Sequence, residues 1–395
     1  MRIGIDLIEL FPKNNQGINV YTENLVKGFL GLNEKITFQI YVNKDYYNYA
    51  KKIFISKKVK IILYNQKKNK IKNFILKLIV IFNLIFLKKL EIIYYSAKNF
   101  FFKEFKLIVE KNSDILICPN VILNHYNLNL KTLLCIHDIQ HEYLPENFTK
   151  FQLIDRKITR GLSVVNCDKL ITSSKTLKKQ CHKYLKKNKN DIKIIEEGVD
   201  LNLFKKKIYK NRLVNNFLLP KKYLFYPAGF WPHKNHLLLL KAIKKLKKSN
   251  VNLILCGLKK NFFKEIKNFI EFNNLKNVKY LGSLSDNNLI KVYKYSTAIV
   301  IPSLEESSCL LLNEGIGFKK PILCSNTETF KEKSKVFKIL FFKKNNVKDL
   351  ESKIKEVYFD KILKKKELKK NYENLKIYNW KNVAKKYLDL CNKIN

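Results

Sequence analysis

Short apolar runs that alternate with helical stretches constrain the fold of this chain more than any other feature. Three such runs follow one another in the second half, at 251–256, 278–281 and 298–301. Each contains Val, Ile or Leu and is followed directly by Gly or Pro, which is typical of buried strands. Strands that alternate with helices form parallel sheets that are covered by those helices. The sequence therefore predicts an α/β fold.

The first half shows the same alternation. Apolar runs predict strands at 2–6, 37–42, 59–64, 114–118, 132–136, 169–173 and 192–199, and helical spacing occupies 21–32 and 151–167. The periodicity lapses at 203–218, and it resumes with a strand at 223–226 and helices at 237–246 and 379–394. A chain of 395 residues is long enough for two domains. We predict them at 1–205 and 206–375, with a separate C-terminal helix at 376–395.

The net charge of +45 comes almost entirely from lysine, because only four of the 78 basic residues are Arg. Nucleic-acid-binding proteins rely on Arg for bidentate contacts, so the composition argues against a nucleic-acid partner. The eight Cys include no C-x-x-C pair and indicate small buried side chains in a reducing compartment. The first residues predict a strand and no signal peptide, so we expect a cytoplasmic protein.

The most hydrophobic segment, 71–90, has two interpretations. Crossing a bilayer takes about 20 predominantly apolar residues, and Lys77 and Asn83 interrupt this run. It is therefore either a core helix or an interfacial helix on an anionic membrane surface.

The stretch 302–325 follows the apolar run at 298–301 directly, so it begins at a strand-to-helix junction. In parallel α/β sheets, ligands bind beside the carboxyl ends of strands, where the next helix presents free N–H groups to anions. Glu306 and Glu314 lie here, eight positions apart. Carboxylates accept hydrogen bonds from sugar hydroxyls, although two Glu at this spacing also occur as ordinary surface charges. Lys234 stands at a similar junction, before the helix at 237–246, where an ammonium group would stabilise a phosphate.

These residues resemble the motifs of the retaining GT-B glycosyltransferases of family 4 (glycosyl transferases group 1), mannosyltransferase-like subgroup. The resemblance runs from Gly17 to Trp380 and is carried by WPHKN at 231–235, by TLLCIHDIQHEYLPENF at 132–148, and by an E-x7-E region with Pro302, Ser303, Glu306, Leu310, Glu314 and Pro321. It implies a GT-B architecture: two Rossmann-like domains with parallel sheets that face a central cleft, and a C-terminal helix that packs back on the N-terminal domain.

The resemblance also implies residue roles. Glu306 contacts the donor sugar, Glu314 the nucleotide ribose, and Lys234 the donor phosphates. His137 donates a hydrogen bond to sugar or phosphate, and Asp138 has a positioning or acceptor-side role. The implied catalytic residues are His137, Asp138, Lys234 and Glu306, and the implied donor-binding residues are Gly17, Lys234, Glu306, Ser307, Ser308, Cys309, Leu310 and Glu314.

The sequence departs from the family pattern at two places. Ser307-Ser308-Cys309 replaces a Gly-rich turn, and Gly229 stands where the family commonly has Arg. No D-x-D triad occurs, so no metal and no other cofactor is expected. Phosphate charge would then be met by Lys234 and by backbone N–H groups.

We therefore expect a retaining hexosyltransferase that moves a sugar from a nucleotide-sugar donor to a hydroxyl of a glycan or lipid-linked acceptor. Cell-surface polysaccharide assembly, such as lipopolysaccharide, O-antigen or capsule, fits this reaction, at the inner face of the cytoplasmic membrane or free in the cytoplasm. Two alternatives remain open. One is a GT-B-like sugar-nucleotide epimerase, and the other is a basic, non-catalytic protein that binds a membrane surface or nucleic acid.

Overall fold

A computed structural model describes residues 1–12, 17–64, 70–86, 90–208, 211–308, 310–360 and 363–394. The chain folds as two compact units. Unit 1 comprises Met1–Gly198 and Trp380–Asn395, and unit 2 comprises Val199–Asn379. The units therefore divide a few residues away from the predicted boundaries at 205/206 and 375/376.

The core of unit 1 is a seven-stranded parallel sheet. Its strands are β1 (Arg2–Leu7), β2 (Thr37–Val42), β3 (Val59–Leu63), β4 (Ile115–Cys118), β5 (Lys131–Ile136), β6 (Lys169–Thr172) and β7 (Ile192–Ile194). Their order in the sheet is β3-β2-β1-β4-β5-β6-β7. β1 is an inner strand, where Ile3 pairs with Phe38 on one side and Ile115 on the other. Side chains on both faces of this strand are buried, which explains why its residues after Arg2 are apolar apart from Asp6.

Unit 2 contains a six-stranded parallel sheet and a small antiparallel hairpin. The strands are β8 (Leu213–Val214), β9 (Phe217–Leu218), β10 (Leu224–Pro227), β11 (Leu253–Cys256), β12 (Val278–Tyr280), β13 (Ala298–Ile301), β14 (Ile322–Ser325) and β15 (Leu340–Phe342). The parallel sheet has the order β12-β11-β10-β13-β14-β15. The hairpin turns at Asn215 and Asn216, whose positive φ angles suit a tight two-residue turn.

Helices connect most of these strands. They are α1 (Gly17–Leu30), α2 (Lys44–Ile53), α3 (Lys70–Phe86), α4 (Leu90–Phe101), α5 (Lys103–Asn112), α6 (Lys150–Asn166), α7 (Lys175–Leu185), α8 (Leu201–Lys205), α9 (His236–Lys245), α10 (Phe263–Phe272), α11 (Asp286–Tyr295), α12 (Leu310–Gly317), α13 (Glu328–Lys333), α14 (Val347–Phe359), α15 (Lys365–Leu375) and α16 (Trp380–Ile394). The predicted α/β class, with parallel sheets in two domains, is confirmed.

The C-terminal helix α16 packs in unit 1 against α1, as predicted. A buried hydrogen bond of 2.6 Å joins the hydroxyls of Tyr21 on α1 and Tyr387 on α16. Gly28 permits the close approach of the two helices, because a Cβ there would lie 2.4 Å from the carbonyl oxygen of Trp380. A Cβ at Gly198 would likewise lie 2.4 Å from the Trp380 ring. Unit 1 is thus built from both ends of the chain.

Two sequence predictions in unit 1 need correction. Gly17 was expected in a loop before a helix at 21–32, but it is the first residue of α1. The apolar spacing missed this first turn because its buried positions include the polar side chain of Asn19, which donates to the carbonyl oxygen of Phe11 at 2.9 Å.

The segment predicted as one helix at 71–90 belongs to two helices, α3 and α4, and residues 87–89 between them lie outside the described ranges. The two helices pack against each other. Lys72 is buried, and its Nζ atom lies 3.3 Å from the centre of the Phe102 ring. Within the described part of the chain, no helix has the length and apolar character needed to cross a bilayer.

Seven of the eight cysteines fall in the described ranges, and all seven are buried. This agrees with their predicted role as small core residues. Burial raises the pKa of the Cys135 thiol to about 12, so this side chain is neutral at physiological pH. Cys309, a predicted donor-binding residue, lies outside the described residues.

Candidate active site

Lys234 and Glu306 lie at the carboxyl ends of two neighbouring strands of unit 2. Glu306 follows β13, and Lys234 closes a short 3-10 turn, Pro232–Lys234, after β10. Because β10 and β13 are parallel neighbours, both connections emerge at the same edge of the sheet. The backbone N–H of Leu304 donates to the carbonyl oxygen of His233 at 2.8 Å, which joins the two connections.

The two side chains form an ion pair. Lys234 Nζ donates to Glu306 Oε1 at 2.6 Å, and the Ser303 hydroxyl donates to the same oxygen at 2.7 Å. The Lys234 side chain is 19% exposed and that of Glu306 is 8% exposed. Tyr226, on β10, fixes the Lys234 turn because its hydroxyl donates to the Lys234 carbonyl oxygen at 2.9 Å. The sequence predicted both charged residues as ligand contacts, but it did not predict their pairing.

The turn around Lys234 depends on a buried histidine that the sequence analysis did not single out. Asn235 has a left-handed backbone with φ of 53°, and His236 begins α9. The His236 ring stacks on Phe230 at 4.4 Å and lies 4.7 Å from the Tyr226 ring. Burial, with a smaller effect from Lys234, lowers the pKa of His236 to about 3. His236 is therefore a neutral packing residue, and its place after WPHKN is structural.

The remaining predicted residues of this stretch surround the N-terminal end of α12. Ser307 is buried, Ser308 follows it, and Leu310 is the first helical residue. A helix that begins here presents free backbone N–H groups and a positive dipole end. These are the features of an anion-binding site.

Glu314 lies one turn into α12 and is partly buried. Its Oε2 atom accepts a hydrogen bond of 2.6 Å from the hydroxyl of Tyr293. Burial raises the pKa of Glu314 to about 7, against the opposing effect of the Tyr293 hydrogen bond. The structure links Glu314 to Tyr293 of α11, a partner that no motif indicated. Its predicted contact with ribose stays a prediction.

The position of Gly229 is not sterically closed to a larger residue. A Cβ there would make ordinary contacts of 3.5 Å with the Trp231 ring. Packing therefore does not require glycine at position 229, and the replacement of the common Arg by Gly229 changes the charge of the site.

His137 belongs to unit 1, where it follows β5. Its Nε2 atom lies 2.9 Å from the carbonyl oxygen of Pro119, so this nitrogen carries the proton. Its Nδ1 atom faces Glu197 Oε1 at 3.8 Å, and the edge of the Tyr21 ring packs against the imidazole at 4.7 Å. Glu197 was not predicted as a site residue, because only the fold brings it next to His137.

Asp138 is paired with two arginines of α6. Its Oδ1 atom lies 3.2 Å from Arg160 and 3.5 Å from Arg156. Burial raises the pKa of Asp138, but the charges of Arg160 and Arg156 outweigh this effect and hold the pKa below its usual range. A carboxylate in this setting is a weak base, and it is suited to positioning. Its catalytic role stays a prediction.

The predicted site residues thus fall into two groups. Gly17, His137 and Asp138 belong to unit 1, and the other described members belong to unit 2. Among the described residues, no cluster of three or more His, Cys, Asp or Glu side chains could hold a metal ion.

Residues 207–375 match the family model described as Glycosyl transferases group 1. They form a glycosyl transferases group 1 domain. This group 1 domain lies within unit 2 and contains Lys234, Glu306 and Glu314.

Relatives of known sequence agree with this result. An uncharacterized glycosyltransferase of Methanocaldococcus jannaschii, MJ1178, is 29% identical over 219 residues, which is 55% of this chain and 57% of that protein. The O-antigen chain mannosyltransferase RfbU of Salmonella typhimurium is 26% identical over 231 residues, which is 58% of this chain and 60% of that protein. The chain therefore spans less than two thirds of the length of these relatives.

The fold is also that of solved glycosyltransferases. The crystal structure of Anabaena Alr3699/HepE in complex with UDP and glucose has a TM-score of 0.70 to this structure, with 13% identity, and the likeness covers 100% of both chains. The architecture is that of GT-B glycosyltransferases, with parallel sheets in two domains.

Proposed function

We propose that this protein is a retaining glycosyltransferase that moves a hexose from a nucleotide-sugar donor to a hydroxyl of a glycan or lipid-linked acceptor. The Lys234–Glu306 ion pair carries the proposal. It combines a phosphate-binding cation and a hydroxyl-binding carboxylate at the carboxyl edge of a parallel sheet, inside a glycosyl transferases group 1 domain. A nucleotide sugar carries both of the chemical groups that such a pair would bind.

In the proposed donor complex, Lys234 binds the diphosphate together with the backbone N–H groups before α12. Ser307, Ser308 and Leu310 line this helix end, and Cys309 and Gly17 are proposed as further donor contacts. Glu306 accepts a hydrogen bond from a sugar hydroxyl, and Glu314 accepts one from the ribose. Binding therefore exchanges the internal Lys234–Glu306 pair for contacts to phosphate and sugar.

In the proposed reaction, the bond between C1 and the phosphate oxygen breaks, and its electron pair stays on the departing diphosphate. The acceptor oxygen bonds to C1 on the same face, and its proton passes to the departing phosphate. Lys234 and the helix end stabilise the charge that develops on the diphosphate. On donor binding, His137 exchanges its hydrogen bond to the Pro119 carbonyl oxygen for one that it donates to sugar or phosphate. Asp138 positions the His137 connection through Arg160.

Four further parts of the proposal concern the setting of the reaction. The names of the relatives support the first two: RfbU is an O-antigen chain mannosyltransferase, and HepE was crystallised with UDP. We therefore propose a role in cell-surface polysaccharide assembly and a nucleoside-diphosphate leaving group. We also propose that the reaction needs no metal, with the cationic side chain and backbone N–H groups in its place.

The fourth part is a peripheral position on an anionic membrane surface. Six large apolar side chains of α3 and α4 are at least 40% exposed: Phe74, Ile81, Phe82, Ile92, Ile93 and Phe100. We call them the α3–α4 surface. Residues 46–90, which include α3, contain 12 Lys and no Asp or Glu, and Glu91 follows in the first turn of α4. Exposed aromatic and aliphatic side chains beside a lysine-rich stretch of sequence favour an anionic lipid headgroup region as the partner.

Vesicle sedimentation tests this position. The wild type should sediment with vesicles of phosphatidylglycerol and phosphatidylcholine, and less with phosphatidylcholine alone. Phe74→Ser/Phe100→Ser should lower the bound fraction severalfold. Phe272→Ser is the matched control, because Phe272 is 89% exposed in unit 2. Equal loss in the control and the double variant would exclude the α3–α4 surface.

Thermal unfolding with UDP, GDP and ADP tests the enzymatic proposal, since a ligand of the folded state raises the unfolding midpoint. One nucleotide should raise it in the wild type and not in Lys234→Ala. The matching nucleotide sugars should then be turned over only when a saccharide acceptor is added. Turnover without acceptor would favour an epimerase, and no midpoint shift with any nucleotide would favour a non-catalytic binding protein.

A further inference from the structure

The Lys234–Glu306 pair of the proposed donor site carries no net charge. Its cation, Lys234, is neutralised by Glu306 at 2.6 Å. The neighbouring residue, Glu305, adds a second carboxyl group to the same connection. A nucleoside diphosphate carries two or more negative charges near neutral pH, so a further cation near Glu305 would strengthen its binding.

The connection between β15 and α14, residues 343–346, brings a lysine to this place. The Lys344 backbone N–H donates to Asn326 Oδ1 at 2.9 Å, which attaches the connection to the residue after β14. The side-chain amide of Asn235 donates to Asn345 Oδ1 at 3.2 Å. Asn235 directly follows Lys234, so the connection at 343–346 is bonded to the turn that carries the first cation.

This arrangement follows from the sheet order and from helix packing. β13, β14 and β15 are successive neighbours, so their carboxyl-end connections lie side by side. α9 and α14 pack against each other, and both begin at this edge. Asn345 has a left-handed backbone, with φ of 60°, and Asn346 caps α14 by accepting from the Asp349 N–H at 2.9 Å. The backbone on both sides of the Lys344 side chain is thus fixed.

The charges agree with the geometry. Glu305 is partly buried, and burial raises its pKa to about 7, while the positive charge of Lys344 acts in the opposite direction. The Lys344 side chain is exposed to solvent. It thus lies within electrostatic range of the carboxyl group beside Glu306, and its ammonium group is accessible to a ligand.

We propose that Lys344 is a second phosphate-binding cation of the donor site, which contacts the diphosphate of the nucleotide sugar. This inference rests on the proposed function. As the C1–O bond breaks and its electron pair moves to the diphosphate, Lys344 and Lys234 share the developing charge from two sides. Lys344 is a binding residue for the leaving group and takes no proton in the reaction.

Titration calorimetry of the full chain with UDP and GDP tests the proposal. Lys344→Ala should raise the Kd of the nucleotide that binds by about tenfold, the loss of one charge-assisted contact at a partly exposed site. Lys344→Arg keeps the charge and should restore most of the affinity. Lys343→Ala is the matched control, because Lys343 is the adjacent exposed lysine, and it should change the Kd by less than about twofold. Circular dichroism confirms that each variant is folded.

The outcomes separate this inference from the proposed function. If Lys344→Ala and Lys343→Ala both bound the nucleotide as strongly as the wild type, the inference would be overturned and the proposed donor site would stand. A wild type that binds neither nucleotide would overturn both. Uridine and guanosine, which lack phosphate, supply a further readout: their weak binding should be the same in wild type and Lys344→Ala, and a loss there would show a structural role for Lys344.

Discussion

The Lys234–Glu306 ion pair predicts a specific pattern of stabilities in a double-mutant cycle. The two side chains are 19% and 8% exposed, so water screens them little. Lys234→Met keeps a long side chain but leaves the Glu306 carboxylate with the Ser303 hydroxyl as its described hydrogen-bond donor. Removal of one partner from a buried pair costs about 3–5 kcal/mol. Because Lys234 has some contact with water, we expect a loss of about 2–3 kcal/mol.

The double variant decides the interpretation. Glu306→Gln still accepts from Ser303 but removes the negative charge beside Lys234, so it should cost about 1–2 kcal/mol. In Lys234→Met/Glu306→Gln neither charge remains, and the loss should fall short of the sum of the single losses by about 1–2 kcal/mol. The surface pair Lys267–Glu271 is the matched control, since its atoms are 3.5 Å apart and its side chains are 60% and 61% exposed. Its coupling should be about 0.5 kcal/mol or less.

Urea unfolding followed by tryptophan fluorescence measures these free energies. The chain has two Trp, so a Trp380→Phe background leaves Trp231, three residues before Lys234, as the reporter for unit 2. All variants share this background, and its own effect cancels in the cycle. Equal coupling energies for the buried pair and the surface pair would refute the reasoning, because the Lys234–Glu306 contact would then be no stronger than a solvated one.

Three further predictions concern titration, helix packing and metal. Burial raises the pKa of Glu314 from 4.5 to about 7, so the folded chain binds this proton more tightly than the unfolded chain. The free energy of unfolding therefore falls as pH rises through this window, and Glu314→Gln should gain up to about 3 kcal/mol relative to wild type between pH 4 and pH 8, measured by urea unfolding. Gly28→Ala should destabilise unit 1 by about 1–2 kcal/mol, because the added Cβ would collide with Trp380. Gly161→Ala in α6, where a Cβ would have nothing within 4 Å, should stabilise unit 1 by up to about 1 kcal/mol, and equal effects of the two substitutions would contradict the packing argument. EDTA should leave the rate of glycosyl transfer unchanged. If EDTA abolished activity and Mg²⁺ restored it, a metal would supply the positive charge that we assign to lysine.

Local sequence patterns predicted most strands because each strand is a short buried run with a clear end. The run Ala298–Ile301 is an example: its limits in the structure are those that the apolar pattern predicted. The strands β8, β9, β14 and β15 were missed. Leu340–Phe342, for example, is three residues long and follows a lysine-rich stretch with no strand signal. The pair α3 and α4 was predicted as one helix because apolar residues continue across the end of α3. Apolar continuity identifies buried or interfacial chain, but it does not mark where a helix ends.

The site shows the same limit more sharply. Lys234 and Glu306 were each predicted from their place at a strand-to-helix junction, yet they are 72 positions apart, and their contact depends on the sheet order. β10 pairs with β13 and not with β12, because the chain crosses over between them. That order follows from the packing of helices on both faces of the sheet, to which residues far from the site contribute. Beyond β13 the sheet continues with β14 and then β15, and the connection after β15 carries Lys344. A motif can therefore identify the residues that bind a ligand, while the charge balance of the site is set by neighbours that no motif contains.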